Sequence, residues 1–302
     1  MAKIQTEYTL KQEKRRSSGK RVKSSPWRDA WKRLSRNKSA MVSLAIIIFF
    51  VILAIFPQYI APEGYDNQNY SRAFIFPCKE FPLGTDQFGR DMLSRLIWGT
   101  RMSITVGVVS VLASLVLGGV IGAIAGFYGG RVDNILMRIM DIILAIPSML
   151  LAIAIAAALG GSLMNLMLAI SISSIPSYAR VVRGSVMTVK GVDFVEATRA
   201  VGASNSRLIF RHMLPNALAP IIVQATLGIA SAIICACGLS YLGMGIQPPT
   251  PEWGSMLSSA RQYIRNYPYL VIYPGLAIMI SVAAFNLFGD GLRDALDPRM
   301  KR

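Results

Sequence analysis

Six apolar stretches, at roughly 40–60, 102–128, 135–159, 163–182, 217–241 and 268–289, are each long enough to cross about 30 Å of hydrocarbon as a helix rising 1.5 Å per residue. In lipid a spanning segment must satisfy its own backbone N–H and C=O groups, so runs of this length dictate helices and not open sheets. With 53% hydrophobic residues, 16% charged residues and a mean hydropathy of +0.45, the chain reads as an all-α polytopic membrane protein with six transmembrane helices.

The basic residues orient it. Residues 1–39 hold 13 of the 32 Lys and Arg, 129–140 hold two, 180–213 hold six and 290–302 hold four, a 25-to-7 division that places both termini in the cytoplasm. The net charge of +16 is concentrated in a tail joined to the first span, so anionic lipid accounts for it and nucleic acid is not an expected partner. Residues 1–25 are too polar to fold alone. Trp27, Trp31 and Leu34 then fall on one face of an amphipathic helix suited to the membrane interface, and the first span reads as a retained signal-anchor. The organisation is a basic tail with its interfacial helix (1–39), a first span (40–60), an external loop (61–101), a five-helix core (102–289) interrupted by a polar loop (183–215), and a cytoplasmic tail (290–302).

Several chemistries are excluded. The single histidine, His212, lies in the polar loop, which rules out a His-ligated metal or a Ser-His-Asp arrangement within the membrane. No G-x-x-x-x-G-K-[ST] run occurs, so the chain has no P-loop of its own. Cys78 stands alone in the external loop, and Cys235 and Cys237 point to different helix faces, which gives neither a disulfide nor a metal site. The spans lack the midplane carboxylates usual in ion-coupled secondary carriers. Arg138 and Asp141, three apart near the inner end of the third span, form a candidate pair that either holds adjacent helices or takes part in gating. Gly118, Gly122 and Gly126 recur every four residues and suit close helix packing better than a pore lining. Pro147, Pro176, Pro220 and Pro274 sit where each can bend a span.

The most informative segment is EATRAVGASNSRLIFRHMLP at 196–215, polar and set between two very apolar runs. Asp193 and Glu196 have capping-box spacing for a short helix, Gly202 suits the left-handed residue that stops it, Ser204 or Asn205 caps a second helix through Phe210, and Pro215 opens the next span. The order of Glu196, Ala197, Gly202, Leu214 and Pro215 resembles the loop by which ABC-importer permeases dock on their ATPase; Thr198 and His212 depart from that pattern, where Ala and Ile are usual. LGTDQFGRDMLSRLIWGTRMS at 83–103, LSYLGMGIQPPTPEWGSML at 239–257 and FNLFGDGLRDALDPR at 285–299 are similar to segments of the dipeptide and oligopeptide branch, in its C-type permeases.

The resemblance implies a type I ABC importer permease-like fold in the inner (cytoplasmic) membrane, and a transport subunit in place of an enzyme. Its implied partners are a second permease subunit, two ATP-binding subunits that hold ATP and Mg, and an extracytoplasmic substrate-binding protein. Peptides are the implied substrates, with nickel chelates and glutathione carried by relatives of the branch. Asp193, Glu196, Ala197, Gly202, Leu214 and Pro215 would form the ATPase-coupling loop. From the residues themselves, Thr85, Asp86, Gly89, Arg90, Asp91, Ser94 and Arg95 suit a folded external loop with internal ion pairs. Gln247, Pro248, Pro249, Thr250, Pro251 and Trp253 suit a stiff entry lip or a surface for a delivering protein, and Asp290, Arg293, Asp294 and Asp297 suit pairing among themselves or contact with the ATPase.

Overall fold

Ten helices of eight residues or more order the described part of the chain in the computed structural model, which describes residues 26–297; the side chains of Pro26 and Trp27, the polar segment 1–25 and residues 298–302 of the tail lie outside the described residues. They are α1 (Pro26–Leu34), α2 (Lys38–Ile55), α3 (Met92–Tyr128), α4 (Gly130–Leu144), α5 (Ser148–Leu159), α6 (Leu163–Lys190), α7 (Asp193–Ala200), α8 (Leu218–Tyr241), α9 (Trp253–Ala260) and α10 (Tyr269–Leu296), with shorter turns between them. Among the described residues there is no strand, only one antiparallel bridge between Thr85 and Asp91.

Four helices, α2, α3, α8 and α10, are long and apolar enough to cross a membrane, and α4 with α5 makes a fifth if that bent pair is counted as one span. The expected third span at 135–159 is therefore not straight. α4 and α5 meet at 80°, and Pro147 stands at the break, where its ring and missing N–H prevent the helix from continuing. The fourth expected span, at 163–182, lies within α6, which has 28 residues but is less apolar than the other spans because of its serines and arginines. α3 also begins ten residues before the expected apolar run. Asp91 caps it, accepting from the Ser94 amide at 2.8 Å and the Ser94 hydroxyl at 2.6 Å, so residues 92–101 are helical instead of external loop.

α3 and α6 share the most extensive helix–helix contact among the described residues. Gly118, Gly122 and Gly126 are the reason. A Cβ at Gly118 would lie 2.5 Å from the Ile175 carbonyl oxygen and one at Gly126 would lie 2.9 Å from that of Arg183, while one at Gly122 would overlap Ala179. Small residues let two backbones approach, and each methyl added would force them apart. Ser114 and Ser171 bond across the same seam, Ser114 Oγ to the Ser171 carbonyl at 3.0 Å and Ser171 Oγ to the Ser110 carbonyl at 3.2 Å.

A second core joins α2, α3, α8 and α10 around α9. Trp253 is wholly buried there, edge-on to Phe50 at 5.6 Å between ring centroids, with Ile104, Ile233 and Phe285 in the same cluster. Leu34 of α1 packs with Ala40 and Ala295, so α1 rests on the end of α10, and the tail expected from residue 290 is helical through Leu296. At 37 residues, α3 spans about 55 Å and carries a polar segment at each end.

Candidate functional site

At the Tyr128 end of α3, α7 begins at Asp193 with Val192 as its N-cap and no side-chain cap bond. The expected capping box is thus absent. Asp193 is already inside the helix, which puts Glu196 one position too late to reach back to the cap; both carboxylates remain in the first turn, where the helix dipole favours them. The stop is as the residues suggest. Gly202 has φ +88°, its amide donates to the Arg199 carbonyl at 2.9 Å and the Ala203 amide to that of Thr198 at 3.3 Å, the paired bonds of a Schellman turn. Ser204 accepts from the Arg207 amide at 3.4 Å and caps the next turn. That turn continues as a π-helix, Leu208–Met213, before a short helix Leu214–Asn216 that contains Pro215, so Pro215 precedes the next span and does not open it. Thr198, one departure from the permease pattern, donates its hydroxyl to the Phe194 carbonyl at 2.6 Å and is locally satisfied.

The loop is two-faced. Val195, Leu208, Ile209 and Met213 are buried in one cluster with Ala123 and Phe127 of α3 and Val182 and Val186 of α6, with Leu214 packed against it. The opposite face exposes Asp193, Glu196, Ala197 and Gly202, along with Phe210 at 52% and Val201 at 89% of full exposure. Uncovered apolar side chains beside charged ones are the ordinary signature of a partner surface. The buried face thus packs against both members of the glycine-packed pair, α3 and α6.

Arg138 and Asp141 do not pair. Asp141 instead accepts from Arg180 of α6 at 2.6 Å, and Arg138 lies on the exposed side of α4. An acid placed after a base on a helix is the weaker order, whereas the long guanidinium of Arg180 reaches across from the neighbouring helix. A second such link went unanticipated: Arg183 of α6 donates from Nε to Asp133 Oδ1 at 2.5 Å and from Nη2 to Oδ2 at 2.6 Å, a bidentate clamp between α4 and α6.

The other end of α3 is built inward. Asp86 accepts from the Phe88 and Arg90 amides at 2.8 and 3.0 Å, pairs with Arg90 Nε at 2.7 Å and lies 3.5 Å from Arg95 Nε; all three side chains are buried. Arg95 also donates to the carbonyls of Tyr65 at 3.1 Å and Pro249 at 3.4 Å. Glu252, wholly buried, was missed in the sequence because it follows a proline-rich stretch that reads as plain loop. It caps α9 by accepting from the Gly254 and Ser255 amides at 2.9 Å, and Ser103 of α3 donates to it at 3.3 Å. Its place just before an apolar helical run was the available signal. No group of three or more His, Cys, Asp or Glu able to hold a metal exists among the described residues.

A bundle of long apolar helices with one broken span, carrying a two-faced loop at one end, has the build of a multi-pass membrane protein. The chain belongs to the binding-protein-dependent transport system inner membrane component family, which matches residues 118–302, and residues 25–77 match the N-terminal TM domain of oligopeptide transport permease C. It is 50% identical to the dipeptide transport system permease protein DppC of Alkalihalophilus pseudofirmus, over 92% of this chain and 91% of that protein. It is 48% identical to the di/tripeptide transport system permease protein DppC of Pseudomonas aeruginosa (93% and 94%) and 42% identical to the glutathione transport system permease protein GsiD of Pectobacterium atrosepticum (91% and 92%). A chain of the MetNI methionine ABC transporter, solved in inward facing conformations, shares its fold at a TM-score of 0.55 and 19% identity, covering 68% of this chain and 98% of that one. The protein is therefore a multi-pass inner-membrane transport component and not an enzyme.

Proposed function

We propose that this chain is a permease subunit of a peptide importer, that it forms the translocation pathway with a second permease, and that it takes its driving force from partner ATPases, which bind ATP and Mg, through residues 193–215. An extracytoplasmic binding protein delivers the substrate, and both termini face the cytoplasm, as the division of basic residues favours. The observation that carries the coupling role is the two-faced loop: Glu196, Ala197, Val201 and Phe210 turned outward, Val195, Leu208 and Met213 locked onto α3 and α6. A rigid element seated in a partner's groove transmits displacement because packed interfaces switch between discrete arrangements. Small peptides are favoured as substrate by the names of the two dipeptide-system relatives above, with glutathione, itself a short peptide, as the second reading.

Proteoliposomes holding this chain, its partner permease and its ATPases, with the binding protein outside and ATP trapped inside, test the reading. Labelled alanyl-alanine should accumulate only when ATP is on the same side as the 193–215 loop. Accumulation that ignores ATP and collapses with a proton uncoupler would instead make the chain part of an ion-coupled carrier.

A further inference from the structure

Two cavities lie in succession along α8. The first, about 330 Å³, is bounded by Ser148 of α5, by the stretch Ile170–Tyr178 of α6, and by α8 from Gln224 to Cys235. The second, about 370 Å³, is bounded by Val181, by α8 from Ala219 to Leu227, and by Arg293 and Asp297 at the end of α10. Gln224 and Leu227 border both. Each volume lies in the roughly 300–1,000 Å³ range of small-ligand sites.

The first cavity is lined by polar side chains. Ser148, Ser174, Ser177 and Gln224 all line it, yet their side chains form no hydrogen bond among the described residues. Ser148 and Ser177 are exposed and Gln224 is half-exposed. Elsewhere α6 and α8 expose Leu168, Ile172 and Ile234, as a lipid-facing surface requires. Unsatisfied hydroxyls and an amide facing hydrocarbon are costly, so this face meets a polar occupant and not lipid. No Asp, Glu, Lys or Arg borders the first cavity. Hydroxyl and carboxamide groups both donate and accept, so such a lining serves an ammonium, a carboxylate and a peptide amide alike, and gives neither sign of side-chain charge an advantage. The hydroxyl of Tyr178 fills the space where a Cβ of Gly228 would be, which keeps α8 close at this level.

We propose that the two cavities are consecutive compartments of this chain's share of the substrate path, with Gln224 and Leu227 as the neck between them, and that the neutral first compartment holds a short peptide by its backbone groups irrespective of side-chain charge. The proposal rests on the peptide reading above and adds the residues and their selectivity.

Uptake of alanyl-alanine, lysyl-alanine and glutamyl-alanine by the complete reconstituted transporter tests it. Wild type should take up all three at similar rates. Gln224→Glu should raise the lysyl-to-glutamyl ratio and Gln224→Lys should lower it, each roughly tenfold, since a fixed charge at a narrow point selects against its own sign. Opposite shifts from one position are not an effect of damaged folding. Where either variant fails to accumulate, Ser177→Cys in a Cys78→Ser, Cys235→Ser chain should react with methanethiosulfonate ethylammonium in membranes and lose uptake on modification. Unchanged ratios in charged variants that still transport, or an unreactive position 177, overturn the neck. Wild type with no uptake of any of the three overturns the peptide reading and the proposal together.

Discussion

The polar segments at the two ends of α3 look alike in sequence, each a charged stretch beside a long apolar run, yet they spend their polar groups in opposite directions. Around 83–95 the charges are turned inward: Asp86, Arg90, Asp91 and Arg95 are all buried, Asp86 with the two arginines, Asp91 with Ser94, and Arg95 also with the backbone of the surrounding loops. Around 193–215 the charges are turned outward, and what is buried is Val195, Leu208, Ile209 and Met213. One end is closed by ion pairs that leave nothing to offer a partner, and the other by an apolar seat that leaves its charged face free. Buried charge networks hold geometry because removing one member strands the rest; an exposed charge costs little to change and acts through what approaches it.

The largest effect should come from unbalancing the inward end. Asp86→Ala leaves Arg90 and Arg95 buried without their carboxylate, at a cost of about 3–5 kcal/mol, and should lower the yield and the thermal midpoint of the detergent-solubilised complex. The half-buried Arg72–Glu63 pair, 3.3 Å apart in the same loop and far more open to water than Asp86, is the internal control; Glu63→Gln should cost about 1 kcal/mol. Comparable midpoints for the two variants would erase the contrast between closed and open ends.

The outward end should fail in function before it fails in stability. Gly202→Val meets no atom within 4 Å of the new Cβ, so its penalty is confined to φ +88°, about 1–3 kcal/mol for a branched residue at positive φ. The chain should still insert and unfold near the wild-type midpoint while ATP-driven uptake falls several-fold. Gly202→Asn, which tolerates the left-handed region, should keep most of the uptake. A Val variant with undiminished transport removes this turn from the coupling path.

What the sequence revealed and what it hid follows from the range of the forces involved. The apolar spans, the glycine stripe at 118, 122 and 126 and the left-handed Gly202 were legible because each is decided within a few residues, by transfer into lipid, by side-chain size or by backbone sterics. The start of α3 at Met92 was hidden, since the mixed stretch 92–101 is held helical by Asp91 and by buried partners distant in sequence. Asp141 was assigned the wrong arginine for the same reason: Arg138 is near in sequence, but Arg180 is near in space. Gln224 and the hydroxyls of α6 carried no local signal at all, because serine and glutamine within a span are informative only when their neighbours across the bundle leave them unbonded.

The smallest effect should come from Glu196, and it separates the two possible uses of an outward charge. Since Val192 and not Asp193 caps α7, Glu196 contributes no cap bond, and its intrahelical share is the dipole term alone, roughly 0.3 kcal/mol for an exposed first-turn carboxylate. Glu196→Gln keeps shape and hydrogen-bonding reach and deletes only the charge, so folding should not register it. Retention of the ATPase subunits on purification should register it if the carboxylate faces a basic group on that partner. The loss should then be visible at low ionic strength and vanish as the screening length shrinks toward about 3 Å near 1 M salt. Equal retention by Glu and Gln at every salt concentration would leave the exposed apolar pair, Val201 and Phe210, to carry the contact; a difference that persists at high salt would place the carboxylate inside a desolvated interface, where screening does not reach.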